Sequence, residues 1–258
     1  MPTALVTGAA RRIGRAMALA LGEDGYDVAV HYAGSADDAE AVVQTIQAGG
    51  TKAVALQADL TDEAQMQALL PRAVDALGPV TMLINNASIF EYDDIKTGTR
   101  ASWDAHIESN LRAPVVLTQA LAEQAPSAGS DADGEPISQA QVINLIDQRI
   151  HKLTPAFMSY TIAKMGLWAF TRTAAQALGP AIRVNAIGPG PTLQGSNQSE
   201  ANFKRQRAAT ILERGANVED IVAAMRYFMC AKAVTGQILC IDGGQHLTWK
   251  TADMILDV

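Results

Sequence analysis

Seven short runs rich in apolar and β-branched residues, near 3–7, 26–32, 52–57, 80–85, 139–146, 181–186 and 237–241, are separated by segments long enough to be helices. Such an alternation favours parallel pairing, because a chain that leaves one strand by a helical crossover re-enters the sheet in the same direction. Runs such as ALVTG, DVAVHY, TMLIN and QVINLI are nearly continuous in apolar residues. A strand that is apolar on both sides needs helices on both faces of its sheet. The expected fold is therefore α/β, a single doubly wound parallel sheet of Rossmann type. Ligands of such sheets sit beyond the carboxyl ends of the strands, so the residues closing each strand become the functional candidates.

No linker-like stretch divides the 258 residues, and a hydrophobic content of 48% supports a large core, so one domain over 1–258 is expected. Twenty basic against 27 acidic residues give a net charge of −7, which argues against a nucleic-acid or polyanion partner and leaves small ligands open. The start MPTALVTGAARRIG lacks a signal-peptide layout, and no run approaches the roughly 20 apolar residues of a membrane span. A cytoplasmic location without a membrane partner follows as the expectation. Cys230 and Cys240 lie in apolar surroundings without a Cys/His cluster, so buried reduced thiols are expected and no metal site.

The first strand closes in Thr7-Gly8-Ala9-Ala10-Arg11-Arg12-Ile13-Gly14, which opens a helix running to about Glu23. Glycines let the backbone turn tightly and approach a pyrophosphate at the helix's positive N-terminus. Alone, this motif also fits an ordinary turn. Near the middle of the chain, VINLIDQRIHKLTPAFMSYTIAK carries an apolar run, a turn and then Tyr160 and Lys164 four residues apart. Residues with that spacing share a helix face, and a cation beside a phenol lowers its pKa toward a usable proton donor. An incidental pair would show the same spacing. Asp147, at the end of the preceding strand, overhangs the same place.

Taken in order, Thr7 to Gly14, Asn85-Asn86-Ala87, Tyr160 with Lys164, and Gly188-Pro189-Gly190 resemble the motifs of the short-chain dehydrogenase/reductase family, and they span nearly the whole chain. Two positions depart from the usual pattern. Arg12 stands where that family has a second glycine, and Asp147, thirteen residues before Tyr160, stands where it has a serine. The pteridine reductases within the family share both changes, and the chain resembles them also in TGAARRIG, in His31-Tyr32 followed by Ser35, and in the aromatic Phe90 after Asn85-Asn86-Ala87-Ser88-Ile89.

The resemblance implies NADPH as cofactor, held by Gly8, Arg11, Arg12, Ile13, Gly14, His31, Tyr32, Ser35, Asp59, Leu60, Asn86, Ala87, Ser88, Pro189 and Gly190 together with Tyr160 and Lys164. From the residues themselves, the second strand ends without the acid that would bind free ribose hydroxyls, and Arg11 with Ser35 suits a 2′-phosphate. Ser35-x-x-Asp38 also has the form of a capping box. Asp59 reads equally as an adenine contact or as an Asx turn. Asn110 matches the family's asparagine that holds a water in the proton relay, which makes Asn110, Asp147, Tyr160 and Lys164 the implied catalytic set.

Arg12, Ser88, Phe90, Asp147 and Tyr160 are the candidates for substrate. Phe90 can stack on a flat heteroaromatic ring, and a carboxylate at 147 accepts from ring N–H groups where a serine would donate to a ketone oxygen. The reading is an NADPH-dependent reductase of a pteridine or dihydrofolate. Its rivals are a carbonyl reductase of another small substrate and a non-catalytic NADPH-binding regulatory protein. Residues 126–136 read as a polar surface loop. Residues 191–215 stand where the family keeps its substrate-covering loop, with Lys204, Arg205 and Arg207 either meeting an anionic substrate tail or lining a solvated helix face. The family resemblance implies a homotetramer, and the apolar tail 245–258 is expected to pack on a neighbouring subunit.

Overall fold

The computed structural model describes residues 1–195, 198–249 and 251. Strands β1 (Thr3–Val6), β2 (Asp27–Tyr32), β3 (Ala53–Gln57) and β4 (Val80–Asn85) are followed by a two-residue pair β5 (Gly129–Ser130) and β6 (Pro136–Ile137), then β7 (Ala140–Leu145), β8 (Ile182–Pro189) and β9 (Ile238–Ile241). Seven of them form one sheet in the order β3-β2-β1-β4-β7-β8-β9, and every pairing in it is parallel. The segment 126–136, read as a plain loop, contains most of the antiparallel β5–β6 pair, tightened by the Asp131 carboxylate accepting from the Asp133 and Glu135 N–H groups.

Helices α1 (Arg12–Glu23), α2 (Ala36–Ala48) and α8 (Val218–Cys230) cover one face, and α3 (Glu63–Leu77), α5 (Ala113–Gln124) and α6 (Met158–Leu178) the other. The pleat explains the division: Ala4, Val6, Val28 and Val30 join Met17, Leu21 and Phe228, while Leu5 and Ala29 join Met66, Leu69 and Leu121 on the opposite side. Each of these fully buried large side chains contributes roughly 2 kcal/mol from area removed from water. Cys230 departs from expectation. It is exposed because the buried stripe of α8 runs through Ile221, Ala224, Met225 and Phe228, and position 230 falls off it.

Strand order reverses between β1 and β4, which leaves a crevice at their carboxyl ends, the position where doubly wound sheets take ligands. The remaining α-helices among the described residues are α4 (Arg100–Ile107), which runs through a π-helical turn at Glu108–Arg112 into α5, and α7 (Glu200–Ala208) in the segment after β8. Among the described residues no helix is long and apolar enough to cross a membrane. Of the apolar tail, Leu247 and Trp249 are exposed, and Met254 and Ile255 lie outside the described residues.

Candidate active site

The crevice opens as a cleft of about 410 Å³ lined by Gly8, Arg11, Arg12, Ile13 and Gly14 from the first turn, His31 and Ala33 from β2, Asp59, Leu60 and Thr61 after β3, and Asn86 to Ile89 after β4. Its floor is a main-chain cradle. Gly8 has φ +62°, and a Cβ on Gly14 would come within 2.2 Å of the Gly8 carbonyl oxygen. Asn86 ties β4 to that turn, its Nδ2 donating to the carbonyls of Thr7 at 2.9 Å and Gly8 at 3.1 Å. The Thr7 hydroxyl accepts in return from the N–H groups of Asn86 and Ala87.

His31 is a brace. Its Nδ1 accepts from the Gly8 N–H at 3.0 Å, which fixes the neutral tautomer with Nε2 donating to the Ala58 carbonyl at 3.1 Å. Burial lowers its pKa to about 4, so the ring is uncharged at neutral pH. Asp59 caps its own turn by accepting from the Thr61 N–H and hydroxyl, and those bonds depress its pKa. The Asx reading of Asp59 thus holds, and the cleft still reaches the residue.

Tyr32 and Ser35 are not among the residues lining this cleft. Ser35 occupies the N-cap position of α2, but its side chain makes no cap bond. The capping-box expectation fails because Asp38 is engaged elsewhere, accepting from Arg11 Nε at 2.6 Å. Pro189 and Gly190 close β8 outside the cleft lining, and Gly190 is required there because a Cβ would meet Asp242 Cβ at 2.5 Å. Arg12 adopts the left-handed region at φ 55° in the position where a glycine would be unstrained. Its guanidinium donates to the carbonyls of Gln194 at 3.0 Å and Leu193 at 3.3 Å, in the segment after β8.

Beside the cleft, the Tyr160 hydroxyl donates to Asp147 Oδ2 at 3.0 Å, and the Lys164 ammonium donates to the Leu145 carbonyl at 2.8 Å. Asp147 Oδ1 accepts from the Arg149 N–H at 2.7 Å. Burial raises the Asp147 pKa in spite of that bond and of Arg149, Tyr160 and Lys164 nearby. Burial, followed by the Asp147 charge, pushes the Tyr160 phenol well above its ordinary range, against the smaller opposing pulls of the Arg149 charge and Ser88. Burial lowers Lys164 to about 8 against the pull of Asp147.

The expectation that Lys164 acidifies Tyr160 is therefore not met in this geometry. The ammonium is 5.7 Å from the ring centroid and bonded to main chain, while the carboxylate is in direct contact with the hydroxyl. Asn110 is anchored on the turn after β4. Its side-chain Oδ1 accepts from the Ile89 N–H at 2.9 Å and its Nδ2 donates to the Ile89 carbonyl at 2.8 Å, so the amide braces the turn after β4. It does so from the π-helical turn, an insertion that often marks functional sites.

Phe90 is half exposed and stacks on Phe157 with ring centroids 4.2 Å apart, and it meets the Tyr160 ring in a T-shaped pair at 4.7 Å between centroids. Sequence reasoning missed Phe157. It sits at the N-cap of α6 at φ 59°, and its one sequence signal was an aromatic three residues before Tyr160. Two of the three described non-glycine residues with positive φ, Arg12 and Phe157, thus flank the site. Arg207 is not a merely solvated charge. It donates to the carbonyls of Pro191 at 2.8 Å, Ala216 at 2.6 Å and Gly215 at 3.1 Å, clasping the two ends of the segment after β8. Lys204 pairs with Glu200 one turn earlier at 2.7 Å. No group of acidic, histidine or cysteine side chains able to hold a metal occurs among the described residues.

Comparison with known proteins places this geometry. Residues 2–205 match the short chain dehydrogenase family. A 3-oxoacyl-[acyl-carrier-protein] reductase FabG of Staphylococcus epidermidis is 34% identical over 95% of this chain and 99% of its own. Among solved structures, FolM alternative dihydrofolate reductase 1 from Brucella suis in complex with NADP superposes with a TM-score of 0.91 at 41% identity, covering 98% of both chains. A short chain dehydrogenase from Burkholderia cenocepacia in complex with NADP gives 0.85 at 32% identity, over 95% of this chain and 97% of its own. The chain belongs to the short-chain dehydrogenase family.

Proposed function

We propose that this protein is an NADPH-dependent reductase of a dihydropterin or dihydrofolate. The observation that carries the reading is the Tyr160 hydroxyl donating to a carboxylate, Asp147, beside the Phe90 ring. A carboxylate at that point accepts from the N–H groups of a flat nitrogen heterocycle, whereas a ketone oxygen needs a donor. The likeness to the Brucella suis reductase supports the same substrate class. The cradle at Gly8 and Gly14 fits a dinucleotide, since its open backbone and the N-terminus of α1 suit a pyrophosphate. Arg11 stands at the rim where a 2′-phosphate would sit, with no acid at the end of β2.

When bound, NADPH supplies the hydride, which reduces the imine carbon of the substrate. Tyr160 holds the complementary proton on its oxygen and delivers it to the adjacent ring nitrogen. Asp147, with its raised pKa, orients the ring through N–H contacts and returns a proton to the tyrosine oxygen from solvent. Lys164 keeps a positive charge near the phenolate as it forms. Asn110 and His31 hold the two turns on which these groups depend.

The test is NADPH oxidation with dihydrobiopterin, dihydromonapterin and dihydrofolate in wild type, Asp147→Ser and Phe90→Ala. Wild-type turnover is expected, with a kcat loss of about 100-fold for Asp147→Ser and mainly a higher KM for Phe90→Ala. The relative from Staphylococcus epidermidis favours a second reading, reduction of a 3-oxoacyl substrate. Activity on a 3-oxoacyl ester with no pterin turnover would promote it. The assembly we propose is a homotetramer that covers Leu247 and Trp249, and light scattering reporting a monomer at micromolar concentration would refute it.

A further inference from the structure

Beneath Tyr160 lies a buried polar chain that the mechanism does not use. The Glu91 N–H donates to His106 Nε2 at 3.2 Å, so in the neutral ring Nδ1 carries the proton and donates to Ser159 Oγ at 2.7 Å. Ser159 in turn donates to Asp93 Oδ2. Asp93 Oδ1 accepts from the Ser159 N–H at 3.1 Å, and the Asp93 carbonyl accepts from the N–H groups of Phe157 at 2.7 Å and Met158 at 3.2 Å. His106, Ser159 and Asp93 are all buried. These bonds satisfy three N–H groups at the start of α6, groups that would otherwise be orphaned at a helix end.

The chain joins two parts of the site. Ser102, His106 and Asn110 follow one another at four-residue intervals through α4 and the π turn, and they grip Asp93, Glu91 and Ile89 respectively. Between these anchored residues, Phe90 and Tyr92 turn their rings to Phe157, at 4.2 and 5.5 Å between centroids. Through Ser159, His106 also fixes the residue next to Tyr160, whose ring it meets edge-on at 6.0 Å.

We propose that His106, acting through Ser159 and Asp93, is a positioning residue that holds the aromatic wall of Phe90 and Phe157 in register with the Tyr160 hydroxyl, and so sets specificity for a flat ring. The proposal deepens the pterin reading and rests on it for the substrate class. A ring slot between a wall and a hydroxyl tolerates little error, since misplacement by about 1 Å costs on the order of 100-fold in rate.

The experiment compares wild type, His106→Phe, His106→Gln and Ser159→Ala by steady-state kinetics on dihydrobiopterin and on a 3-oxoacyl ester, with NADPH affinity by fluorescence titration and folding by circular dichroism. His106→Phe removes both bonds and should raise KM for the dihydropterin at least tenfold and lower kcat, with NADPH affinity within twofold of wild type. His106→Gln keeps one donor and one acceptor on a planar group and should recover most of the loss. Ser159→Ala cuts the link to Asp93 by one hydroxyl and decides the matter should His106→Phe not fold. Wild-type KM and kcat in folded His106→Phe or Ser159→Ala, or an equal loss of NADPH affinity, would overturn the proposal. Wild-type protein that reduces the oxoacyl ester and no pterin refutes the functional reading instead. The positioning role is then judged on the oxoacyl kcat, which should fall in His106→Phe and recover in His106→Gln.

Discussion

At the carboxyl end of β1 the proposed cofactor turn is shaped by main chain and neutral side chains: glycines at 8 and 14, the Asn86 amide, the Thr7 hydroxyl and an uncharged His31. At the carboxyl end of β7, the proposed catalytic half packs three ionisable groups, Asp147, Tyr160 and Lys164, into surroundings where burial shifts all three. The first arrangement suits a ligand that brings its own charge, since fixed N–H dipoles cost no desolvation of a buried ion. The second holds protons at unusual affinities, as a proton-transferring site must. If this division is right, damage to the catalytic half should leave cofactor binding intact, and damage to the cradle should not.

The largest effect is expected from Tyr160→Phe. It removes the hydroxyl and little else, and should lower kcat on the dihydropterin by about 1000-fold, the range of a lost general acid. NADPH affinity should stay within twofold. Single-turnover absorbance with a parallel binding titration checks both; an equal loss of affinity would merge the two halves. Gly14→Ala is the converse. Its Cβ meets main-chain oxygen at 2.2 Å and the Asn86 amide at 2.4 Å, so the turn itself must move. We expect about 100-fold weaker NADPH binding, on the order of 3 kcal/mol, with kcat at saturating NADPH changed far less.

How far this comparison was legible beforehand differs between the halves. The glycine turn, most strand ends and the pair of Tyr160 with Lys164 are local in sequence and sit where their spacing placed them, while the strand expected at 181–186 runs on to Pro189. What escaped reading is long-range. Asp93 and His106 belong to no local motif and gain their roles only by meeting Ser159, 66 and 53 residues away. Phe157 became part of the site through a left-handed backbone that no pattern announces. Asp38 looked like half of a capping box until Arg11, 27 residues earlier, took its carboxylate. Arg207 read as either a substrate-tail contact or part of a solvated face, whereas it closes a loop whose two ends are 25 residues apart from Pro191 to Ala216.

Acidity separates the halves again. Lys164, near 8 in the folded chain, should lose its charge as pH rises through that value, so kcat/KM should fall about tenfold per unit above it. Its effect on stability has the opposite sense: between about 8 and the ordinary 10.5 the unfolded chain binds more protons, so this group's contribution rises with pH. His31 works in an acid window. Its folded pKa of about 4 lies below the ordinary 6.5, so stability is full above 6.5 and is lost as pH falls between them. Denaturant unfolding at pH 7 and pH 5 should differ by about 2 kcal/mol from this group. His31→Gln, which cannot be protonated there, should lack that part of the difference while leaving the alkaline limb of kcat/KM in place.

The smallest effect concerns the rim, where the cofactor half does carry charge. Arg11 and Asp38 form an exposed pair, and such pairs contribute at most about 1 kcal/mol to folding. Their consequence lies in cofactor choice. On the proposed placement of a 2′-phosphate at Arg11, the Asp38 carboxylate that Arg11 holds would repel the phosphate, and Arg11 would both neutralise that charge and offer donors. Arg11→Ala removes the donor and uncovers the acid, so kcat/KM for NADPH should fall up to tenfold while the value for NADH changes little. Asp38→Asn releases Arg11 and should shift the ratio toward NADPH by a few-fold. The double variant should fall between the two, because the carboxylate that Arg11→Ala exposes is gone. Paired measurements of kcat/KM with the two cofactors decide it: a ratio unmoved in all three would mean the phosphate is recognised elsewhere and that the rim charges play no part in cofactor choice.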